Sequence, residues 1–147
     1  MQHVTPEKIG SIVDFLNSIK PVFYSGYPSI LSEVARLALS EKRLLKPGAK
    51  PRYIFPGAEN TQDYQKEALE LWTNAKITDQ YGLSEGCCNT SQCEEGYYHE
   101  DFQFGHIECH KPELLADGKK RGHIVGTSFS NLAMPLVRYE TGDIAVW

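Results

Sequence analysis

Between residues 79 and 86 the chain reads Asp79-Gln80-Tyr81-Gly82-Leu83-Ser84-Glu85-Gly86, which spaces an aromatic ring, a hydroxyl and a carboxylate along a glycine-bounded turn. The short run before it, Ala75-Lys76-Ile77-Thr78, reads as a buried strand. In an open parallel sheet, ligands sit beyond the carboxyl ends of the strands. There an aromatic side chain can stack on a flat ring, a hydroxyl can bond a phosphate oxygen, and a carboxylate can hold Mg²⁺. Those residue types in that order suit a nucleotide. Each also has a plainer reading: Tyr81 as a core aromatic at a strand end, Ser84 as a turn hydroxyl, Glu85 as a helix-cap or surface carboxylate.

The elements that must carry this turn are legible upstream. Thr5-Pro6 opens a helix, with Thr5 as N-cap and proline at the first helical position. Ile9, Ile12, Val13, Leu16 and Ile19 give it an apolar stripe before Pro21. Val22-Phe23-Tyr24 is a short strand signal, and Pro28-Ser29 opens a second helix with Ile30, Val34, Leu37 and Ala38 on one face. After a connector with a turn at Pro47-Gly48, Arg52-Tyr53-Ile54-Phe55 reads as a strand ending in Pro56-Gly57-Ala58-Glu59-Asn60. Thr61 is placed to cap a third helix whose face is Tyr64, Ala68, Leu71 and Trp72. Strands alternating with helices of this length predict a parallel sheet with right-handed crossovers.

Beyond Gly86 the texture changes. Residues 87–96 are polar and turn-like, followed by short β signals at 97–99, 106–109, 123–129, 136–139 and 144–147. Turns are expected at 112–120, at Ser130-Asn131 and at Glu140-Thr141-Gly142. The fold class expected is therefore α/β: a parallel βαβαβ sheet flanked by helices, then a small antiparallel β-barrel-like portion. Residues 1–86 would form the α/β part and 87–147 the antiparallel part with a Cys/His-rich entry loop. The strand signal at Trp147, with no cap or polar tail after it, reads as a chain that continues.

The 147 residues allow one domain or two small lobes. A net charge of −4 argues against nucleic acid or an anionic membrane as partner. No apolar run approaches the roughly 18 residues of a membrane span, and Met1 to Thr5 is no secretory signal. The cytoplasm is the expected compartment, with Cys87, Cys88, Cys93 and Cys109 as thiols or metal ligands rather than disulfides.

Three motifs stand in order: Gly57-Ala58-Glu59 after one strand, Tyr81-Gly82-Leu83-Ser84-Glu85 after the next, and Tyr139-Glu140-Thr141-Gly142-Asp143 in the β part. Together they resemble the adenylate-forming ligases, which activate carboxylic acids as acyl-AMP, and most closely their phenylacetate–CoA ligase branch. Tyr24-Ser25-Gly26-Tyr27-Pro28-Ser29 and the run from Ala133 to Asp143 carry the same phrasing. Glu94-Glu95-Gly96-Tyr97-Tyr98-His99 also resembles relatives in capsular polysaccharide synthesis.

The resemblance implies roles. Gly57, Ala58 and Glu59 would form a backbone wall beside the adenine, and Tyr81 would stack on it, within a motif that includes Asp79 and Gly82. Ser84 would bond the α-phosphate, Glu85 would bind Mg²⁺, and Asp143 would accept hydrogen bonds from both ribose hydroxyls. Arg138 is either a ribose or carboxylate partner or a cross-strand ion-pair donor; Gly57, Gly142 and Asp143 could also be ordinary turn residues. ATP, CoA and a small carboxylic acid of aryl or similar type are the implied partners, with a homodimer as a further expectation. The family's phosphate loop and its C-terminal lysine domain have no counterpart in these residues. The expectation is a fragment of a ligase, inactive by itself.

Cys93 and His99 have a spacing that one Zn²⁺ can span, and thiolate with imidazole suits that ion. Cys87, Cys88 or Cys109 are candidate further ligands; reduced thiols and surface histidines are the alternative. Two other functions remain open: a non-catalytic zinc-stapled interaction module, and an adenylating enzyme of polysaccharide biosynthesis with an acceptor other than CoA.

Overall fold

Thr5 and Pro6 open the first helix, α1 (Pro6–Ile19), in a computed structural model that describes residues 4–147. Met1 to His3, part of the stretch read as no export signal, lie outside the described residues. Ile9 and Val13 are buried and Leu16 packs beside them. Ile19, expected on the same stripe, is 51% exposed. It belongs to the last turn, which closes through Lys20 in the left-handed conformation.

The chain folds as two compact units, Met1–Gln80 and Tyr81–Trp147. In the first, β1 (Phe23–Gly26), β2 (Tyr53–Pro56) and β3 (Lys76–Ile77) pair in parallel in the order β1-β2-β3. The connections are α2 (Pro28–Ser40) and α3 (Asp63–Thr73). Consecutive strand order with right-handed crossovers places both helices on one face of the sheet. Tyr24 and Ile54 point into that face and join Ala35, Ala38, Ala68, Leu69 and Trp72 in one core. The alternate residues Phe23, Tyr53 and Phe55 cover the other face with packed rings, at centroid separations of 5.8 and 6.0 Å.

Two helix faces differ from expectation. On α2 the buried residues are Pro28, Ser32, Ala35 and Ala38, whose small side chains let it sit close against α3. Ile30, Val34 and Leu37 are only partly covered. On α3, Tyr64 and Leu71 are exposed while Gln65, Ala68, Leu69 and Trp72 face inward. The cap explains the rotation. Gln62, not Thr61, is the N-cap, in a reciprocal capping box with Gln65, and this turns Gln65 toward the interior with its Oε1 accepting the Gln62 N–H.

In the second unit, β4 (Gln80–Gly82), β5 (Asn89–Gln92) and β6 (Tyr98–Glu100) form one three-stranded sheet. β7 (Gly105–Leu114), β8 (Lys120–Ser128) and β9 (Tyr139–Val146) form another, antiparallel throughout. The antiparallel portion is thus two open sheets, with no closed barrel among the described residues. Three local expectations are corrected. Asn89–Gln92 is a strand, not part of a turn-like loop. Pro112 lies inside β7, at the irregularity between His110 and Glu113 where a strand tolerates proline. Thr141-Gly142 is no hairpin turn: β9 continues through it with a bulge.

Candidate functional site

The turn after β3 is built in two steps. Asp79 is buried, and its Oδ1 accepts the Gln80 N–H at 2.9 Å, holding the chain as it leaves the parallel sheet. Gln80, Tyr81 and Gly82 then form β4, so the tyrosine sits on a strand and not on a free loop. A Cβ at Gly82 would lie 2.6 Å from Asn89 Oδ1, so a larger residue here would have to displace the Asn89 side chain. Leu83 to Gly86 is a turn closed by Gly86 N–H donating to Leu83 O at 3.0 Å, with Gly86 at φ +67°. Ser84 and Glu85 are exposed at its tip.

Asp143 comes from an irregularity in β9. The register slips between His123↔Ile144 and Val125↔Glu140, so Thr141, Gly142 and Asp143 lie opposite Ile124. Gly142 takes φ +87°, which favours glycine. Thr141 Oγ1 donates to Ile124 O at 3.1 Å and accepts the Asp143 N–H at 3.1 Å. The bulge turns the Asp143 carboxylate toward β4. There Tyr81 Oη donates to Asp143 Oδ2 at 2.8 Å, across 62 positions of sequence. Burial, above all, and then the adjacent carboxylate push the Tyr81 phenol far above its ordinary range, against a smaller opposing pull from Thr141. Tyr81 is therefore a committed donor, and Asp143 Oδ1 has no hydrogen-bond partner among the described residues.

A second tyrosine meets the second acid. Tyr139 Oη lies 3.4 Å from Glu85 Oε1, and the Glu85 charge raises its pKa. Arg138 faces another way: its Nε donates to Glu108 Oε2 at 3.0 Å, the cross-strand ion pair. In the first unit Gly57 N–H donates to Gly26 O, and Ala58 is left-handed at φ +63°. Glu59 turns its carboxylate onto the start of α2, accepting Ser29 N–H at 3.1 Å and Ser29 Oγ–H at 3.0 Å. Its side chain thus caps a helix. A depression of about 470 Å³ lined by Lys50, Glu67 and Asn74 lies at the amino end of these strands, opposite the end where ligands bind such sheets.

The cysteines separate into two kinds. Cys87 and Cys88 are buried, with sulfurs 3.8 Å apart and Ile124 beside them. Burial first, and then its neighbour Cys87, push the Cys88 thiol up to about 12. These are core residues, which removes them as exposed metal ligands. Cys93 and His99 lie on the β5–β6 hairpin, where His99 pairs with Ser91 and Cys93 N–H donates to Tyr97 O. No group of three or more His, Cys, Asp or Glu is arranged to hold a metal among the described residues. A tetrahedral zinc needs four ligands, and this hairpin offers two, so no role below depends on zinc. Glu85, one exposed carboxylate near a turn hydroxyl, fits Mg²⁺ better, since that ion takes one or two carboxylates and completes its shell with phosphates and water.

The thiol arrangement predicts a labelling pattern. In native protein Cys93 and Cys109 should react with a thiol reagent, and Cys87 and Cys88 only on unfolding. Because the folded state raises the Cys88 pKa from 9.0 to about 12, its contribution to stability is complete below pH 9 and is lost as pH rises toward 12. Thermal melts across pH 8–12 should therefore decline less steeply for Cys88→Ala than for the parent chain; parallel curves would contradict the assignment.

No family model matches the sequence. Individual relatives do. The chain is 28% identical to Protein CapK of Staphylococcus aureus, over 96% of its own length and 30% of that protein. It is 32% identical to phenylacetate-coenzyme A ligase of Aromatoleum evansii, over 95% of its length and 32% of that enzyme. Its fold matches 2-hydroxyisobutyryl-CoA ligase, solved in an open conformation with 2-HIB-AMP and CoA, at a TM-score of 0.75 and 21% identity. That match covers 99% of this chain and 33% of that one. The chain spans about a third of the length of the curated relatives it matches. Among the described residues no helix is long and apolar enough to cross a membrane. Over nearly its whole length the chain is similar to part of phenylacetate-coenzyme A ligase, and that similarity, with the fold, supports a place in the adenylate-forming ligase superfamily.

Proposed function

We propose that these residues supply the nucleotide end of an AMP-forming acid–CoA ligase acting on a carboxylic acid, with aryl acids as the first class to test. The observation that carries the reading is the hydrogen bond from Tyr81 to Asp143, which joins two of the three motifs in one unit. In this reading the Tyr81 ring stacks on adenine, Asp143 binds the ribose hydroxyls, and Ser84 bonds the α-phosphate. Glu85, steadied by Tyr139, holds the Mg²⁺ that offsets phosphate charge. The substrate carboxylate attacks the α-phosphorus, and the bond to pyrophosphate breaks. The CoA thiolate then attacks the acyl carbon and releases AMP. Positioning and charge neutralisation provide most of the rate in phosphoryl chemistry of this kind.

Gly57, Ala58 and Glu59 are proposed as nucleotide-binding backbone of the first unit, and Asp79 and Gly82 as residues that shape the turn. Arg138, engaged by Glu108 here, would reach a ligand only once that pair opens. The resemblance of Glu94-Glu95-Gly96-Tyr97-Tyr98-His99 to relatives in capsular polysaccharide synthesis motivates a second reading, in which adenylation is kept and the acyl group passes to an acceptor other than CoA. Exchange of labelled pyrophosphate into ATP, screened with aryl and short aliphatic acids on the full-length protein, tests adenylation in both readings. Acid-dependent exchange is expected. Adding CoA then separates them: the first reading predicts an acyl-CoA product and the second does not.

A further inference from the structure

We infer that the Tyr81 hydroxyl is a positioning group that sets the plane of the Asp143 carboxylate, so that ribose recognition depends on the residue proposed to hold the base. The inference rests on the nucleotide-binding reading above and assigns the hydroxyl a task separate from ring stacking. The terminal torsion of an aspartate is broad, and Asp143 lies on an exposed irregularity of β9. Its backbone is fixed by Thr141, but that bond does not fix the carboxylate plane. Tyr81 does, at 2.8 Å from Oδ2.

Each carboxylate oxygen has two acceptor positions. With Tyr81 filling one on Oδ2, one on Oδ2 and both on Oδ1 remain for two vicinal hydroxyls. The Tyr81 phenol stays protonated, so the donor is constant across the working pH range. Tyr81 is itself anchored, packing against Cys87, Cys88 and Ile124. The orientation is therefore set before any ligand arrives, and preorganisation of this kind removes part of the ordering cost of binding.

Tyr81→Phe keeps the ring and removes the donor. In the exchange assay on the full-length protein, it should raise the KM for ATP by about three- to tenfold, the range expected for one side chain left to order on binding. The KM for 2′-deoxy-ATP should change much less, so discrimination between the two nucleotides falls. A cooperative thermal melt retained in the variant separates positioning from loss of fold. An equal rise for both nucleotides, or no rise for either, overturns the inference while leaving adenylation intact. Absence of acid-dependent exchange in the unsubstituted protein overturns the functional reading and this inference with it.

Discussion

Gly105→Ala is expected to destabilise the second unit by about 3 kcal/mol, the upper end of the usual overpacking range. Gly105 begins β7, opposite Ser128, and is buried. A Cβ there would press on the Cys87 carbonyl oxygen and lie 2.8 Å from Thr127 O. Both obstacles are backbone, so no side-chain rotation relieves them. The consequence reaches the site, because Cys87 and Cys88 pack against Tyr81 and Leu83. The control is Gly48→Ala, where a Cβ meets nothing within 4 Å; it should stay within about 0.5 kcal/mol of the parent chain. Urea unfolding followed at Trp147 for the second unit and Trp72 for the first measures both. Equal midpoints for the two variants would contradict the packing described for Gly105.

How far the sequence could be read depended on whether the signal was local. The parallel sheet was legible because each strand and helix carried its own periodicity and its own proline or glycine boundary. The faces of α2 and α3 were not, since packing between helices selected Ser32, Ala35 and Gln65 over larger neighbours such as Tyr64 and Leu71. Cys87 and Cys88 were hidden by their surroundings: Gly86 before them and Asn89, Thr90 and Ser91 after them read as a polar turn. Their burial comes from β8, where Gly126 leaves room for both sulfurs; a Cβ there would lie 2.7 and 2.9 Å from them. A turn at Glu140-Thr141-Gly142 is the local expectation from the residue types, but a bulge has the same composition and only strand pairing tells the two apart.

The candidate site divides along the same line. The residue types at Tyr81, Ser84, Glu85 and Asp143 could be picked out from motif order. That Tyr81 donates to Asp143, that Tyr139 meets Glu85, and that Glu59 caps α2 are long-range pairings with no local signature. The last has a consequence for Glu59: two hydrogen bonds to Ser29 hold its carboxylate against the start of α2.

Asp143→Ala carries the largest functional effect expected. The substitution removes the charged acceptor for two sugar hydroxyls and leaves the half-buried Tyr81 phenol without its carboxylate partner. Hydrogen bonds to a charged group contribute about 1.5–3 kcal/mol each, so losing two should lower kcat/KM for ATP on the order of 10²-fold or more. Most of the loss should appear in KM, because the sugar is held alike before and during attack at phosphorus. Stability should change far less, since Asp143 is exposed and the Thr141 bond to Ile124 remains.

Acid-dependent exchange of pyrophosphate into ATP, compared between the unsubstituted full-length protein and Asp143→Ala, tests the account most directly. The account predicts exchange that requires both a carboxylic acid and Asp143, with the variant at about one hundredth of the parent rate at low ATP. Exchange undiminished in Asp143→Ala, or folded parent protein showing none with any acid, would contradict it.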